Sequence, residues 1–149
     1  MNEVSVVWNF LINLFNADSI VNTISIVPTL EMDLNKENIY TLVNIDLRES
    51  NVSYDNVELS YRITIIQQVD IVPRTTDNKL LTNVNVIDCL NETHAIAERF
   101  INKLQKQNND LNIEISSFSG LTRYRTGMQG VEGWQFEITL FTENLGSSC

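Results

Sequence analysis

Acid–base and nucleophilic chemistry in this chain would rest on very few side chains. His94 is the only histidine, and the cysteines are Cys89 and Cys149. An imidazole activates a thiol only when the two face one another. Cys89 and His94 stand five residues apart in a stretch of helical period, so they diverge around the axis. His94 itself falls on the apolar stripe, where a satisfied imidazole is commoner than a base or a ligand. No CxxC, HxxxH or calcium-loop spacing occurs, so neither a structural metal nor a cofactor is indicated. Asp46 with Glu49, and Asp55 with Glu58, sit at expected strand ends with nothing beside them to drive their pKa values apart. They read as surface charge rather than as an acid–base pair. Gly120, Gly127, Gly130 and Gly133 lie between two strands, without the strand-to-helix setting or the lysine of a phosphate cradle, and read as flexibility. These residues together point away from an enzyme.

Two further groups are suited to contacts rather than bond making. Arg123, Tyr124 and Arg125 form a small basic cluster in an expected loop over 119–133. Arg74 and Lys79 lie in an aperiodic polar stretch, 70–82, that is long for a simple connection. These five are candidate contacts to neighbouring proteins or to DNA; the alternative for the arginine cluster is a solvated hairpin end. Near the N-terminus, Trp8, Phe10, Leu11, Leu14 and Phe15, with Val6, Val7 and Ile12, leave Asn9, Asn13 and Asn16 as a narrow polar stripe. A helix with so wide an apolar arc is expected to touch both the sheet and a second chain. Trp8, Phe10, Leu11, Leu14 and Phe15 are therefore candidate interface residues, the alternative being a helix buried within its own domain.

The composition sets the outer limits. At 149 residues and 43% hydrophobic the chain has the size of one domain with a core that needs no staples. Only 19% of residues are charged, so Asn, Ser, Thr and Gln must supply much of the polar surface. Such a surface suits partner contact, and an AT-rich genome would also enrich asparagine. The net charge of −9 disfavours a grip on nucleic acid, which draws its free energy from lysine and arginine displacing counterions from phosphates. An acidic wall repels DNA instead and suits a conduit through which it slides. The distant cysteines read as free thiols of a reducing compartment. The apolar 4–15 segment lacks the basic flank and cleavage site of a signal peptide and is too short and polar to span a membrane.

The elements that position these residues follow from periodicity. A helix over 4–15 leads through a linker to a strand at 29–34, then, after a turn at 35–38, to a strand at 41–47 that stops at the polar stretch 48–56. The longest alternation, 57–69, points Val57, Leu59, Tyr61, Ile63 and Ile65 one way and predicts a central, overhanging strand. An amphipathic helix from about 91 to 107 is read from a stripe that already begins at Ile87 and continues through Leu90, His94, Ala97, Ile101 and Leu104, with acids early and bases late as the helix dipole prefers. Strands at 111–115 and 134–140 close the chain. This is an α+β class: a single, mainly antiparallel sheet covered by a central amphipathic helix, with an N-terminal helix. It forms one domain, with 1–27 as helix and linker, 28–141 as the core and 142–149 as a flexible tail.

This order of elements resembles the tail-completion, tail-terminator and neck proteins of tailed bacteriophages. The stretch NVIDCLNETHAIAERFINKL (85–104) matches their helix crossing the sheet, and GWQFEITLF (133–141) their closing strand. The asparagine-rich, cysteine-poor style is similar to virion proteins of crAss-like phages. The resemblance implies a virion protein of neck or tail, assembled in the host cytoplasm and forming a closed ring around the DNA channel. It implies six copies in tails or twelve in portal-matched necks, and as partners the portal, neck or tail proteins and the passing DNA, bound without sequence preference and without a membrane. The family carries no fixed active-site residues. The competing reading is a small α+β module that binds a ligand or peptide at the Trp134 face or the 119–133 loop.

Overall fold

A computed structural model describes residues 3–27, 40–69, 85–106, 113–126 and 130–143. The elements run α1 (Glu3–Asn16), β1 (Thr23–Ser25), β2 (Leu42–Val52), β3 (Asn56–Gln68), α2 (Asn85–Lys106), β4 (Glu114–Phe118), β5 (Thr122–Thr126) and β6 (Val131–Glu143). The expected strand at 29–34, the turns at 35–38 and 108–110, the stretch 70–82 with Arg74 and Lys79, Gly127, and Cys149 with the end of the tail lie outside, or largely outside, the described residues.

The strands form one sheet in the order β1-β2-β3-β6-β4, with β5 beside β4 on the outer side of β6. The β1–β2 pair is parallel and every other pair antiparallel. The class expected from periodicity is therefore the class observed. β3 is central, and its alternation is the reason. Val57, Leu59, Tyr61, Ile63 and Ile65 are all buried on the face that meets the helices, beside Val43 and Ile45 of β2 and Phe136, Ile138 and Leu140 of β6. Both helices cover this face. α1 contributes Val7, Leu11 and Phe15 at four-residue spacing; α2 contributes Ile96, Ala97, Phe100 and Leu104. The Phe15 and Phe100 rings stack at 4.2 Å and 13°, joining the two helices above the sheet. Each such fully buried side chain is worth ~1.5–3 kcal/mol of transfer free energy.

The other face carries cross-strand polar pairs, Arg62 with Glu137, Ser60 with Thr139 and Gln135 with Thr64, of the kind that fix strand register. One end of it is dry, where Leu42, Ile66 and Val131 pack with Tyr40 and Tyr124.

Five boundaries differ from the sequence reading, each for a local reason. β2 runs on to Val52, because an arm exposed on both sides shows no apolar alternation; its bulge between Leu47 and Glu49 also breaks the period. α2 begins at Asn85, six residues before the start at about 91 taken from periodicity and at the first residue of the 85–104 stretch. β4, Glu114–Phe118, runs three residues past the expected end at 115, while positions 111 and 112 lie outside the described residues. β1 is a three-residue parallel strand inside the expected linker. The expected 119–133 loop contains β5 and the start of β6. β5 was hidden because its helix-side residues are Arg123 and Arg125 rather than apolar ones.

Two glycines of this region, Gly130 and Gly133, have structural roles. Gly130 holds φ +62 in the turn into β6, a conformation that costs glycine little. Gly133 lies within β6, where a Cβ would stand 1.9 Å from the Ile65 carbonyl oxygen. Asp46 also departs from expectation: it is buried, 5% exposed, with its carboxylate 3.4 Å from Arg48, rather than free surface charge.

Inside the core, the Tyr61 hydroxyl and the Trp8 indole N–H are buried and have no hydrogen-bond partner among the described residues. The two rings meet edge to face at 6.0 Å, and burial holds the Tyr61 phenol far above the usual tyrosine range. An unsatisfied hydroxyl costs its desolvation, about 1–3 kcal/mol. Tyr61→Phe is therefore expected to raise the urea midpoint, by about 1 kcal/mol of stability; a lower midpoint would show that the hydroxyl has a partner.

Candidate interaction groove

α1 and α2 leave between them an open groove of about 750 Å³, lined by Phe10, Asn13, Leu14 and Ala17 from one helix and Arg99, Asn102, Lys103 and Lys106 from the other. Helical spacing builds it. Positions 10, 14 and 17 form one row along α1, flanking the buried row 7, 11 and 15, while 99, 103 and 106 form a row along α2 beside the buried 96, 100 and 104. The wide apolar arc of α1 thus serves two purposes. Its inner part is core, and its outer part, Phe10 and Leu14, is a partly buried floor.

Of the five N-terminal interface candidates, Leu11 and Phe15 are 0% and 1% exposed within the chain's own core. Trp8 packs on Tyr61. Only Phe10 and Leu14 line the outward-facing groove.

The groove's charge is unusual for this protein. The chain has 10 basic against 19 acidic residues, yet three of the basic ones stand on this one feature. All five described arginines are held in ion pairs: Arg48 to Asp46, Arg62 to Glu137, Arg99 to Asp18, and Arg123 and Arg125 to Glu132. Among the described residues Lys103 and Lys106 form no ion pair, and both are exposed. Their place in the last turn of α2 suits the helix dipole and concentrates positive potential at that end of the groove.

Arg99 is fixed by a two-point pair, Nε to Asp18 Oδ2 at 2.8 Å and Nη2 to Oδ1 at 3.1 Å, while Oδ1 also accepts the Ile20 amide at 3.0 Å. Burial by itself would raise the Asp18 pKa; the Arg99 guanidinium, the Ile20 amide and Lys103 more than reverse it, leaving the carboxyl below its ordinary 3.8. A depressed folded-state pKa gives stability that is complete above the unfolded value and is lost as pH falls through the folded one. Asp18→Asn is expected to cost roughly 1–2 kcal/mol at neutral pH, discounted for the half-exposed guanidinium. It should also flatten the decline of stability below pH ~4. Urea titrations at pH 7 and pH 3 measure both effects, and equal losses at the two pH values would exclude the linkage.

The other sequence candidates lie elsewhere. Arg123 grips Glu132 through Nε and Nη2 at 3.0 and 2.9 Å, and Arg125 lies 3.5 Å from the same carboxylate, which is 4% exposed in its residue. Tyr124 points to the opposite face, in the cluster of Leu42, Ile66 and Val131, where burial raises its phenol pKa. The two arginines thus compensate a buried acid of the sheet. Cys89 is buried with its Sγ 3.5 Å from the Gln68 carbonyl. His94 pairs with Glu98 at 2.9 Å and meets Trp134 edge-on at 5.3 Å, so thiol and imidazole serve different neighbours. Trp134 donates its indole N–H to the Leu90 carbonyl at 2.9 Å and, with Ile87, Leu90, Asn91 and His94, borders a second open depression of about 450 Å³.

The sequence marked Asn13 only as part of the polar stripe of α1 and Lys103 and Lys106 only as late bases on the outside of α2; Ala17, Arg99 and Asn102 were not singled out. The available signal was the basic row at positions 99, 103 and 106, which reads equally as an ordinary solvated helix face. Among the described residues no three His, Cys, Asp or Glu side chains gather as metal ligands, and no helix is long and apolar enough to cross a membrane. No protein-family model matches the chain, nor does the sequence of any curated protein.

Proposed function

We propose that this chain is a non-catalytic binding module that receives an acidic, apolar segment of a protein partner in the α1–α2 groove. The observation that carries the reading is the combination of an apolar floor, Phe10 and Leu14, with Lys103 and Lys106, which form no ion pair among the described residues, on a strongly acidic molecule. Apolar contact supplies affinity, and the basic rim selects sign and orientation. The chemistry is binding alone; no bond is made or broken. Titration of 15N-labelled protein with a synthetic amphipathic decapeptide of alternating Glu and Leu tests it. Amide shifts should map to Phe10–Ala17 and Arg99–Lys106 and vanish in Lys103→Glu/Lys106→Glu. Shifts confined to the Trp134 depression, or none, would refute it.

A second reading places the module in a bacteriophage neck or tail ring around the DNA channel, with copies of itself and portal, neck or tail proteins as partners. What favours it is the order of elements: an N-terminal helix, a long central hairpin, one helix crossing the sheet and a long closing strand, as in the proteins it resembles. The excess of acid would let DNA slide past without being held. Negative-stain microscopy of the purified protein tests this reading; ring-shaped particles support it, and monomers at every concentration count against it.

A further inference from the structure

We infer that the groove's occupant is the β2–β3 hairpin tip of a second copy of the chain, an inference that rests on the groove being a binding site.

The tip is the most conspicuous apolar surface of the described residues. Tyr54 is 85% and Val52 70% exposed, the two most exposed large apolar side chains of the described residues. The outer part of the hairpin carries three acids, Glu49 and Asp55 exposed and Glu58 half-buried, against one base, Arg48, which is paired with Asp46. Apolar centre and acidic rim are the counterpart of the groove's apolar floor and basic rim, so one surface of the chain matches another in both polarity and charge.

The tip is also preorganised. Ser53 donates its amide to the Asn56 carbonyl at 2.8 Å and its hydroxyl to the same oxygen at 3.0 Å, and its Oγ accepts the Asn56 amide at 3.1 Å. Tyr54 and Asp55 are thereby held at the apex of a closed turn, so docking does not have to order them. Tyrosine at such a position is a characteristic anchor of protein interfaces.

A chain cannot fill its own groove with its own tip. At the tip β3 is pinned between β2 and β6, through Val52–Val57 and Val57–Thr142, while the groove opens on the outer side of the helices. Tip into groove is therefore a head-to-tail contact between unlike surfaces. It continues from copy to copy and closes only if the rotation divides a circle.

Analytical ultracentrifugation of the full chain tests this with two variants. Val52→Ser/Tyr54→Ser removes the tip anchor and Lys103→Glu/Lys106→Glu the basic rim; all four side chains are exposed, and circular dichroism confirms folding. Wild type should self-associate, as a dimer if the rotation is a half turn and as a larger oligomer otherwise, and each variant should weaken self-association by about tenfold or more. An equimolar mixture of the two should stop at a heterodimer, because only one intact tip and one intact groove remain. A wild type that stays monomeric up to about 1 mM, a tip variant that assembles as wild type does, or a mixture without heterodimer overturns the inference. If the Glu-Leu decapeptide still shifts groove resonances while wild type is monomeric, the binding module stands and the self-partner falls. If neither is seen, both fall.

Discussion

Gly133→Ala should be the most damaging single-methyl change in this protein. The added Cβ would stand 1.9 Å from the Ile65 carbonyl oxygen and 2.8 Å from both the Ile65 carbonyl carbon and the Ile66 Cα. These are main-chain atoms of the central strand, with no flexible side chain to swing aside. Gly133 pairs with Ile66 on one side and Tyr124 on the other, so a shift of β6 breaks register with β3 and β5 together. Overpacking costs ~1–3 kcal/mol even where neighbours can yield. The expected loss is about 3 kcal/mol or more, against a total stability on the order of 5–15 kcal/mol for a domain of this kind. Gly120→Ala is the control, since nothing stands within 4 Å of its added methyl; it should change stability by less than about 0.5 kcal/mol. Urea unfolding of both variants measures the contrast, and equal midpoints would show that the strands can part at Gly133.

Phe15→Ala should follow closely in size and differ in kind. Phe15 is 1% exposed and stacks on Phe100, so its removal opens a ring-sized cavity at the joint between the helices. A phenylalanine-to-alanine change in a core costs about 3–5 kcal/mol, depending on how far the site collapses. Here collapse would tilt α1 toward α2 and close the groove above. The variant is thus expected to lose peptide-induced shifts at Phe10 and Leu14 along with stability. Phe10→Ala, on the outer side of the same helix, should weaken peptide binding while moving the unfolding midpoint much less. A Phe15→Ala protein that binds the peptide as wild type does would show that the groove does not depend on this joint.

How much of this could be read from the residues varied with how regularly each element buries one side. β3 was plain, because five alternate positions from Val57 to Ile65 are all core. The C-terminal part of α2 was plain for the same reason. Elements whose inward side is polar or whose sides are both wet were lost: β5 turns arginines toward a buried glutamate, and the outer half of β2 has no dry side to reveal it. Gly133 looked like a hinge because sequence shows the missing side chain and not the carbonyl it makes room for. The groove was legible only in halves. Phe10 and Leu14 stood out on α1, but their partners at 99, 103 and 106 become a rim only when Asp18, just beyond the end of α1, holds Arg99.

The outer border of the sheet has its own consequence. β4 and β5 follow β6 with one register shift between Ile115 and Ser117 and another across the break between them, where four residues from Phe118 to Thr122 advance against three from Ile138 to Gln135. An arriving strand would have to reproduce both irregularities to dock along its length. That margin is therefore a poor template for cross-β growth, and copies of the chain brought side by side along it meet a border that a straight strand does not fit.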